Sequence, residues 1–217
     1  MIYLALDTAS HLCAAALYDD RGDAIVGEVT EDIGRGHAER LMDVIGECFK
    51  QASLEYSDLG KVICTIGPGS FTGVRVGLST ARGIALGLSI PVIGVSSLAA
   101  LAHEAGAAGS LTGSLATILD ARREEAYVLW NDTAQVMRYD ALDGLFGDAE
   151  FELCGSGAGE FSNRSTTPRK ILHELAAAPI ATIARLGAKM NENAAPPEPL
   201  YLRAPDAKPQ LVSTLGL

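Results

Sequence analysis

Two apolar runs open the chain. Residues 2–7 (IYLALD) end in a carboxylate, and 12–18 (LCAAALY) lead into Asp19 and Asp20. Arg21 and Gly22 supply a turn and 24–30 reads as a third strand, so the pattern predicts an antiparallel meander. The period changes after Gly36. Ala38, Leu41, Met42, Ile45, Phe49 and Ala52 fall on one helical stripe, which predicts a helix over 37–51. Residues 61–66 (KVICTI) read as a buried strand broken by Gly67-Pro68-Gly69. Ser70 is suited to cap a second helix over 71–87. A strand over 90–95 and a helix over about 97–105 follow, with Ser96 or Ser97 as the cap.

The opening pattern then returns. Residues 115–120 (LATILD) end in Asp120, 126–130 (AYVLW) lead to Asp132, and the spacing from Asp7 to Asp19 is repeated from Asp120 to Asp132. Repetition of this kind signals duplicated units. It resembles the build of actin-like nucleotide-binding proteins, whose paired hairpins flank a cleft. The expected fold is therefore α/β: duplicated actin-like (ribonuclease H-like) lobes with mixed sheets flanked by helices. The first lobe is assigned to 1–106, and a smaller second lobe with an extended tail to 107–217. Within the second lobe the pattern predicts a segment at 135–139, a short helix near 141–146, a strand at 151–154, a glycine-rich turn, and helices near 169–177 and 180–190. Pro196, Pro197 and Pro199 argue against a helix in the tail.

Composition narrows the functional classes. A chain of 217 residues with 48% hydrophobic and 20% charged residues reads as globular. No apolar run approaches the roughly 18 residues of a membrane span, and the N-terminus lacks the basic start of a signal peptide. The four cysteines form no C-x-x-C pair; Cys13 and Cys64 read as core thiols, and a reducing cytoplasm is the expected location. A net charge of −10 would repel nucleic-acid phosphates. Arg122–Arg123 and the group Arg164, Arg169 and Lys170 are the candidate basic clusters.

Three features could carry chemistry. Gly67-Pro68-Gly69-Ser70-Phe71-Thr72-Gly73 joins a strand to a helix, where backbone N–H groups make a ready anion site; the other reading is a tight turn with no ligand. It is not a Walker A loop, because no Gly-Lys-Ser/Thr follows. Gly73, Gly77 and Ala81 share one helix face, which serves either packing within the lobe or contact with another subunit's helix. Asp7 and Asp120 end equivalent strands, where carboxylates either hold Mg²⁺ and orient an attacking water or cap the neighbouring turn. The candidate anion- or nucleotide-binding set is thus Asp7, Gly67, Gly69, Ser70 and Asp120. His11, His37, His103 and His173 show no paired metal-ligand spacing, His37 reads as a surface or interface residue, and Ser156 lies outside a hydrolase elbow.

Four segments together, LALDTAS, GHAERLM, GPGSFTGVRVGLSTARGIALGL and IPVIGVSSLAALA, resemble the bacterial TsaB (YeaZ) family. The likeness is collinear over about 2–104, and PLYLRAPDAKP resembles that family's tail; 133–195 carries little of it. The resemblance implies similarity to TsaD, the catalytic subunit of the complex that makes N6-threonylcarbamoyladenosine in tRNAs reading codons that begin with A. TsaD holds metal through two histidines in a motif resembling Val95–Leu101; here Ser97 and Leu101 stand at those places, and leucine offers no ligand atom. The implied role is a non-catalytic scaffold that pairs with TsaD and forms homodimers when isolated. TsaE supplies the ATPase, no cofactor is bound by this chain alone, and tRNA is met only indirectly. The first two helices are the implied pairing surface. From packing, His37, Leu41, Ile45, Gly73, Val74, Gly77, Leu78 and Ala81 are the expected partner residues. Two alternatives carry different requirements: a stand-alone actin-like ATPase or phosphotransferase needs nucleotide in the cleft, and a metalloprotease needs a histidine pair.

Overall fold

The structure is a computed structural model that describes residues 1–107, 109, 111–191 and 195–203. Its first sheet contains β1 (Ile2–Asp7), β2 (Leu12–Asp19), β3 (Ala24–Asp32), β4 (Leu59–Gly67) and β5 (Val92–Ser96), in the order β3-β2-β1-β4-β5. β1, β4 and β5 are parallel, while β2 and β3 form the antiparallel meander. The second sheet contains β6 (Ser114–Asp120), β7 (Glu125–Trp130), β8 (Thr133–Arg138), β9 (Phe151–Cys154) and β10 (Ile171–His173). Its order, β10-β9-β6-β7-β8, is the same topology repeated. The helices are α1 (His37–Ala52), α2 (Phe71–Leu88), α3 (Ser97–Ala107), α4 (Leu142–Phe146), α5 (Ala158–Arg164) and α6 (Ile180–Ala188).

Period-two alternation divides each strand between two cores. In β1 and β2, Leu4, Leu6, Cys13, Ala15 and Leu17 face the core under α1 and α2. Tyr3, Ala5, Ala14, Ala16 and Tyr18 face the opposite way, toward α6 and α3. α4 and α5 cover the far face of the second sheet, Leu142 and Phe161 packing over Ile118 and Val128. The result is five layers, α1/α2, sheet, α3/α6, sheet, α4/α5, with the middle helices shared. Small side chains on the inner face let α6 come close; a Cβ on Gly187 would collide with Ile63. The expected boundary at 106/107 does not hold for α6. It follows the second sheet in sequence but packs on β1 and β2 of the first.

Local signals behave as their chemistry requires. Ser70 caps α2, its Oγ accepting from Gly73 N–H at 3.2 Å. In the second lobe one expectation fails and one element was not expected. Residues 169–177 are not a helix: Ile171–His173 pairs in parallel with β9, so sheet pairing overrides the apolar pattern. The segment read as a glycine-rich turn continues into α5, whose Glu160 and Arg164 pair one turn apart. In the tail, 195–203 is neither helix nor strand, and the rest of that expectation lies outside the described residues.

The expected partner residues prove to be interior. His37, Leu41, Ile45, Val74, Leu78 and Ala81 are all buried, as are Gly73 and Gly77. The stripe through α1 and α2 faces their own sheet, as an amphipathic helix requires. The glycines serve a close approach inside the lobe. A Cβ on Gly77 would lie 2.5 Å from Thr8 Oγ1, and one on Gly73 would strike Thr8 O. His37 is likewise no surface group; its Nε2 lies 3.1 Å from Leu12 O. Gly77→Ala should therefore destabilise the fold by roughly 1–3 kcal/mol in urea denaturation, because the clash is with a fixed neighbour. A neutral effect would mean that Thr8 yields.

Candidate functional site

A cavity of about 730 Å³ opens between the β1–β2 loop of the first lobe and the β6–β7 loop of the second. Asp7, Thr65 and Ser97 contribute polar groups on the first-lobe side, and Asp120, Arg122 and Ser156 on the other. Leu119, Tyr127, Ala178 and Ile183 give apolar walls. The size and mixed lining suit a small-molecule cleft. Of the expected anion set, Asp7, Gly69, Ser70 and Asp120 all line it, whereas Gly67 does not.

Asp7 and Asp120 occupy equivalent strand ends and make equivalent turns. Asp7 Oδ1 accepts from Ala9 N–H at 2.9 Å, and Asp120 Oδ1 accepts from Arg122 N–H at 3.0 Å. Both therefore act as turn-capping carboxylates. Their surroundings differ. Asp120 is exposed and Asp7 is buried, with Thr65 Oγ1 donating to it at 2.6 Å. Burial raises the Asp7 pKa above its ordinary 3.8; the Thr65 and Ala9 hydrogen bonds and the His37 charge oppose that rise.

The glycine loop is not a free anion cradle. Ser70 N–H donates to Ala9 O at 2.7 Å, and Gly73 N–H to the Ser70 side chain. Gly69 sits where a Cβ would hit Ala9 O. The loop is a tight turn seated on its own lobe's hairpin, which is the second of the two readings its sequence allowed. Gly155-Ser156-Gly157 does the same job in the second lobe. Gly157 N–H donates to Ile118 O at 2.9 Å, and Ser156 Oγ accepts from Asp120 N–H at 3.2 Å.

Residues that pattern did not single out form the rim. Phe71 is half exposed, Arg75 stacks on its ring at 3.7 Å, and Tyr201 lies 5.6 Å from the same ring. Leu200, Tyr201, Leu202 and Arg203 line the cavity as well. The aromatic–arginine grouping was visible in sequence only as a tail of family-like residues, because its members lie far apart along the chain. Ser97 was visible. Its Oγ is buried against the cavity and has no hydrogen-bond partner among the described residues.

The donor set at the start of α3 does not fit a metal. Ser97 offers one hydroxyl, and Leu101, fully buried in the shared core, offers no side-chain donor. Among the described residues no three of His, Cys, Asp and Glu cluster to share an ion. The four cysteines are buried and reduced, and burial pushes the Cys13 thiol up to about 11.

Two sheets of one strand order facing each other across a cleft define an actin-like, two-lobed α/β protein. A family profile described as "TsaD: tRNA N6-adenosine threonylcarbamoyltransferase" matches residues 21–149. The chain belongs to that family, and within it to the TsaB/YeaZ group. It is 38% identical over 127 residues to the Escherichia coli protein named tRNA threonylcarbamoyladenosine biosynthesis protein TsaB, a match covering 58% of this chain and 53% of that one. The alignment thus spans about half the length of that relative. A Mycobacterium tuberculosis protein described as uncharacterized is 32% identical over 212 residues, 97% of this chain and 96% of its own. A Pseudomonas aeruginosa crystal structure, described as an uncharacterized protein with similarity to peptidase YEAZ, superposes with a TM-score of 0.75. It is 26% identical and covers 93% of this chain and 99% of that one.

The raised pKa of Asp7 has a signed consequence. A carboxyl that holds its proton more tightly when folded stabilises the fold fully below the unfolded pKa, and that contribution is lost as pH rises through the folded value. Asp7→Asn, which keeps the Oδ1 acceptor without the charge, should gain stability relative to the native chain as pH is raised from about 4 to about 7. Thermal melts across that range measure it; parallel curves would mean that Asp7 ionises without penalty.

Proposed function

We propose that this chain is a non-catalytic subunit in the biosynthesis of tRNA N6-threonylcarbamoyladenosine, acting in the cytoplasm by pairing with TsaD. The outer face of α1 and α2 carries the reading. Met42 is 50% exposed and Leu86 83% exposed. Beside them Gly46, Gly83 and Gly87 face open space, with no atom within 4 Å of an added Cβ. Exposed apolar groups among small residues suit close approach by another helix pair. The proposed pairing surface uses the same two helices that the sequence resemblance implies, but their exposed positions rather than the eight buried residues.

The remaining assignments agree with a subunit that performs no step by itself. The catalytic metal belongs to TsaD, since Ser97 and Leu101 cannot hold one. ATP acts through TsaE, and this chain binds no cofactor alone. tRNA is held by the partners: the net charge is −10, and of the second candidate basic cluster Arg164 pairs with Glu124 at 2.6 Å and Lys170 with Glu152 at 2.8 Å. Among the described residues no helix is long and apolar enough to cross a membrane.

Size-exclusion chromatography with light scattering tests the pairing. The isolated chain should run as a homodimer and convert to a one-to-one complex with TsaD from its host. Leu86→Glu and Met42→Arg should each weaken that complex at least about tenfold while changing stability by less than about 0.5 kcal/mol. A native chain that ignores TsaD removes the reading. Calorimetric titration of the isolated chain with Mg-ATP should give no saturable heat; micromolar binding with turnover would restore the phosphotransferase alternative.

A further inference from the structure

Residues 195–203 touch both lobes in sequence. Gly94 N–H donates to Ala195 O at 3.0 Å on the edge of β5, and the Arg82 guanidinium donates to Pro197 O at 2.5 Å. Leu200 N–H donates to Ile66 O at 2.8 Å near the end of β4. Arg203 then donates to Ala121 O at 3.0 Å and pairs with Glu125, both in the second lobe. The segment therefore starts on the first lobe, crosses the cleft mouth and fastens to the second.

Tyr201 sits between these anchors. Its hydroxyl accepts from Arg75 Nε at 2.9 Å, and its ring lies against Phe71. Phe71 and Arg75 line the cleft on one side. On the other they line a shallow groove with Ala38, Thr72, Val76 and Ser79, where the N-terminal turns of α1 and α2 meet. The same two side chains form a wall common to both spaces.

We propose that residues 197–203 are a clasp that closes the interlobe cleft and couples its opening to the α1/α2 face through Tyr201 on Phe71 and Arg75. The partner half of this proposal rests on the pairing function above; the clasp itself does not. Tyr201 is half exposed and its contacts are side-chain contacts at the surface; lifting the segment breaks the single Leu200–Ile66 backbone bond and the Leu202 packing but no strand-to-strand pairing of either sheet. Lifting it separates Arg203 from Glu125 and frees the second-lobe loop. It also removes the acceptor from Arg75 and the ring from Phe71, and both side chains are then free to turn into the groove. A partner that holds Phe71 and Arg75 in one arrangement biases the clasp, and by linkage the clasp biases that partner's affinity by the same factor.

Hydrogen exchange with mass spectrometry on the full chain tests it, comparing the native protein with Tyr201→Ala, Arg203→Glu and the milder Tyr201→Phe. Exchange in 119–125 and 66–72 should quicken about fivefold or more in the first two variants and less in the third. Exchange in β1 and α6, the folding control, should stay unchanged. Exchange in 37–42, across the groove, should change in step and so reads the coupling in the free protein. In parallel, the dissociation constant for TsaD should shift by a similar factor. Unaltered exchange in 119–125 and 66–72 overturns the clasp. A response there with none in 37–42 overturns the coupling. A native chain that never binds TsaD would instead sink the pairing function, and the exchange result would still decide the clasp.

Discussion

The contact between Thr8 and α2 is the constraint on which the first lobe depends. Thr8 Oγ1 donates to Gly73 O at 2.7 Å, and both Gly73 and Gly77 lack the Cβ that would push the helix away. Glycine in a helix costs about 0.8–1 kcal/mol relative to alanine. Here the cost is offset by seating α2 directly on the end of β1. That seating has two consequences. It holds the β1–β2 loop against the β4–α2 loop, which forms the first-lobe wall of the cleft. It also turns Phe71, Arg75, Ser79 and Leu86 outward, giving α2 a face that its own sheet cannot cover.

Much of this was legible in the sequence. The meander, α1, β4, α2 with its Ser70 cap, and α3 all follow from periodicity and punctuation, and the repeat of Asp7–Asp19 at Asp120–Asp132 points to the duplicated sheets. What failed did so for identifiable reasons. A helical stripe marks which face of a helix is apolar, but an apolar face can meet either its own sheet or a partner. Leu41, Ile45, Gly77 and Ala81 meet their own sheet. Residues 171–173 lack strand length and alternation; only parallel pairing with β9 makes them a strand. α5 could have been found from the duplication itself, since a helix follows β4 in the first lobe and one is owed after β9. The rim was not legible, because Phe71 and Arg75 lie far along the chain from Tyr201 and Arg203, and only the fold brings them together.

The two lobes share a topology but differ in build. α1 and α2 run 16 and 18 residues, while their counterparts α4 and α5 run 5 and 7. The short helices cover the outer face of the second sheet with a compact aromatic group, in which Phe146 lies 4.4 Å from Phe151 and 5.3 Å from both Trp130 and Phe161. Aromatic rings bury large areas per residue, so few residues suffice there. The first lobe instead spends long helices, whose outer faces extend beyond what its core needs. The excess surface lies on that lobe, beside the cleft and under the reach of the tail.

The paired aspartates show how a duplicated frame can keep a feature while its chemistry diverges. In both lobes the strand-end carboxylate accepts the N–H two residues on, so the turn requires an acceptor at that place whether or not a ligand is ever bound. Asp7, sealed beneath Thr65 and Ala9, spends its Oδ1 on the fold and is costly to ionise. Asp120, exposed on the opposite wall, makes the same turn in contact with solvent. A cleft whose two carboxylates and glycine loop are already used in this way can keep its shape without performing phosphate chemistry. Retaining that shape is then explained by the lobes' need to stay registered across α3 and α6, whose shared core joins both sheets.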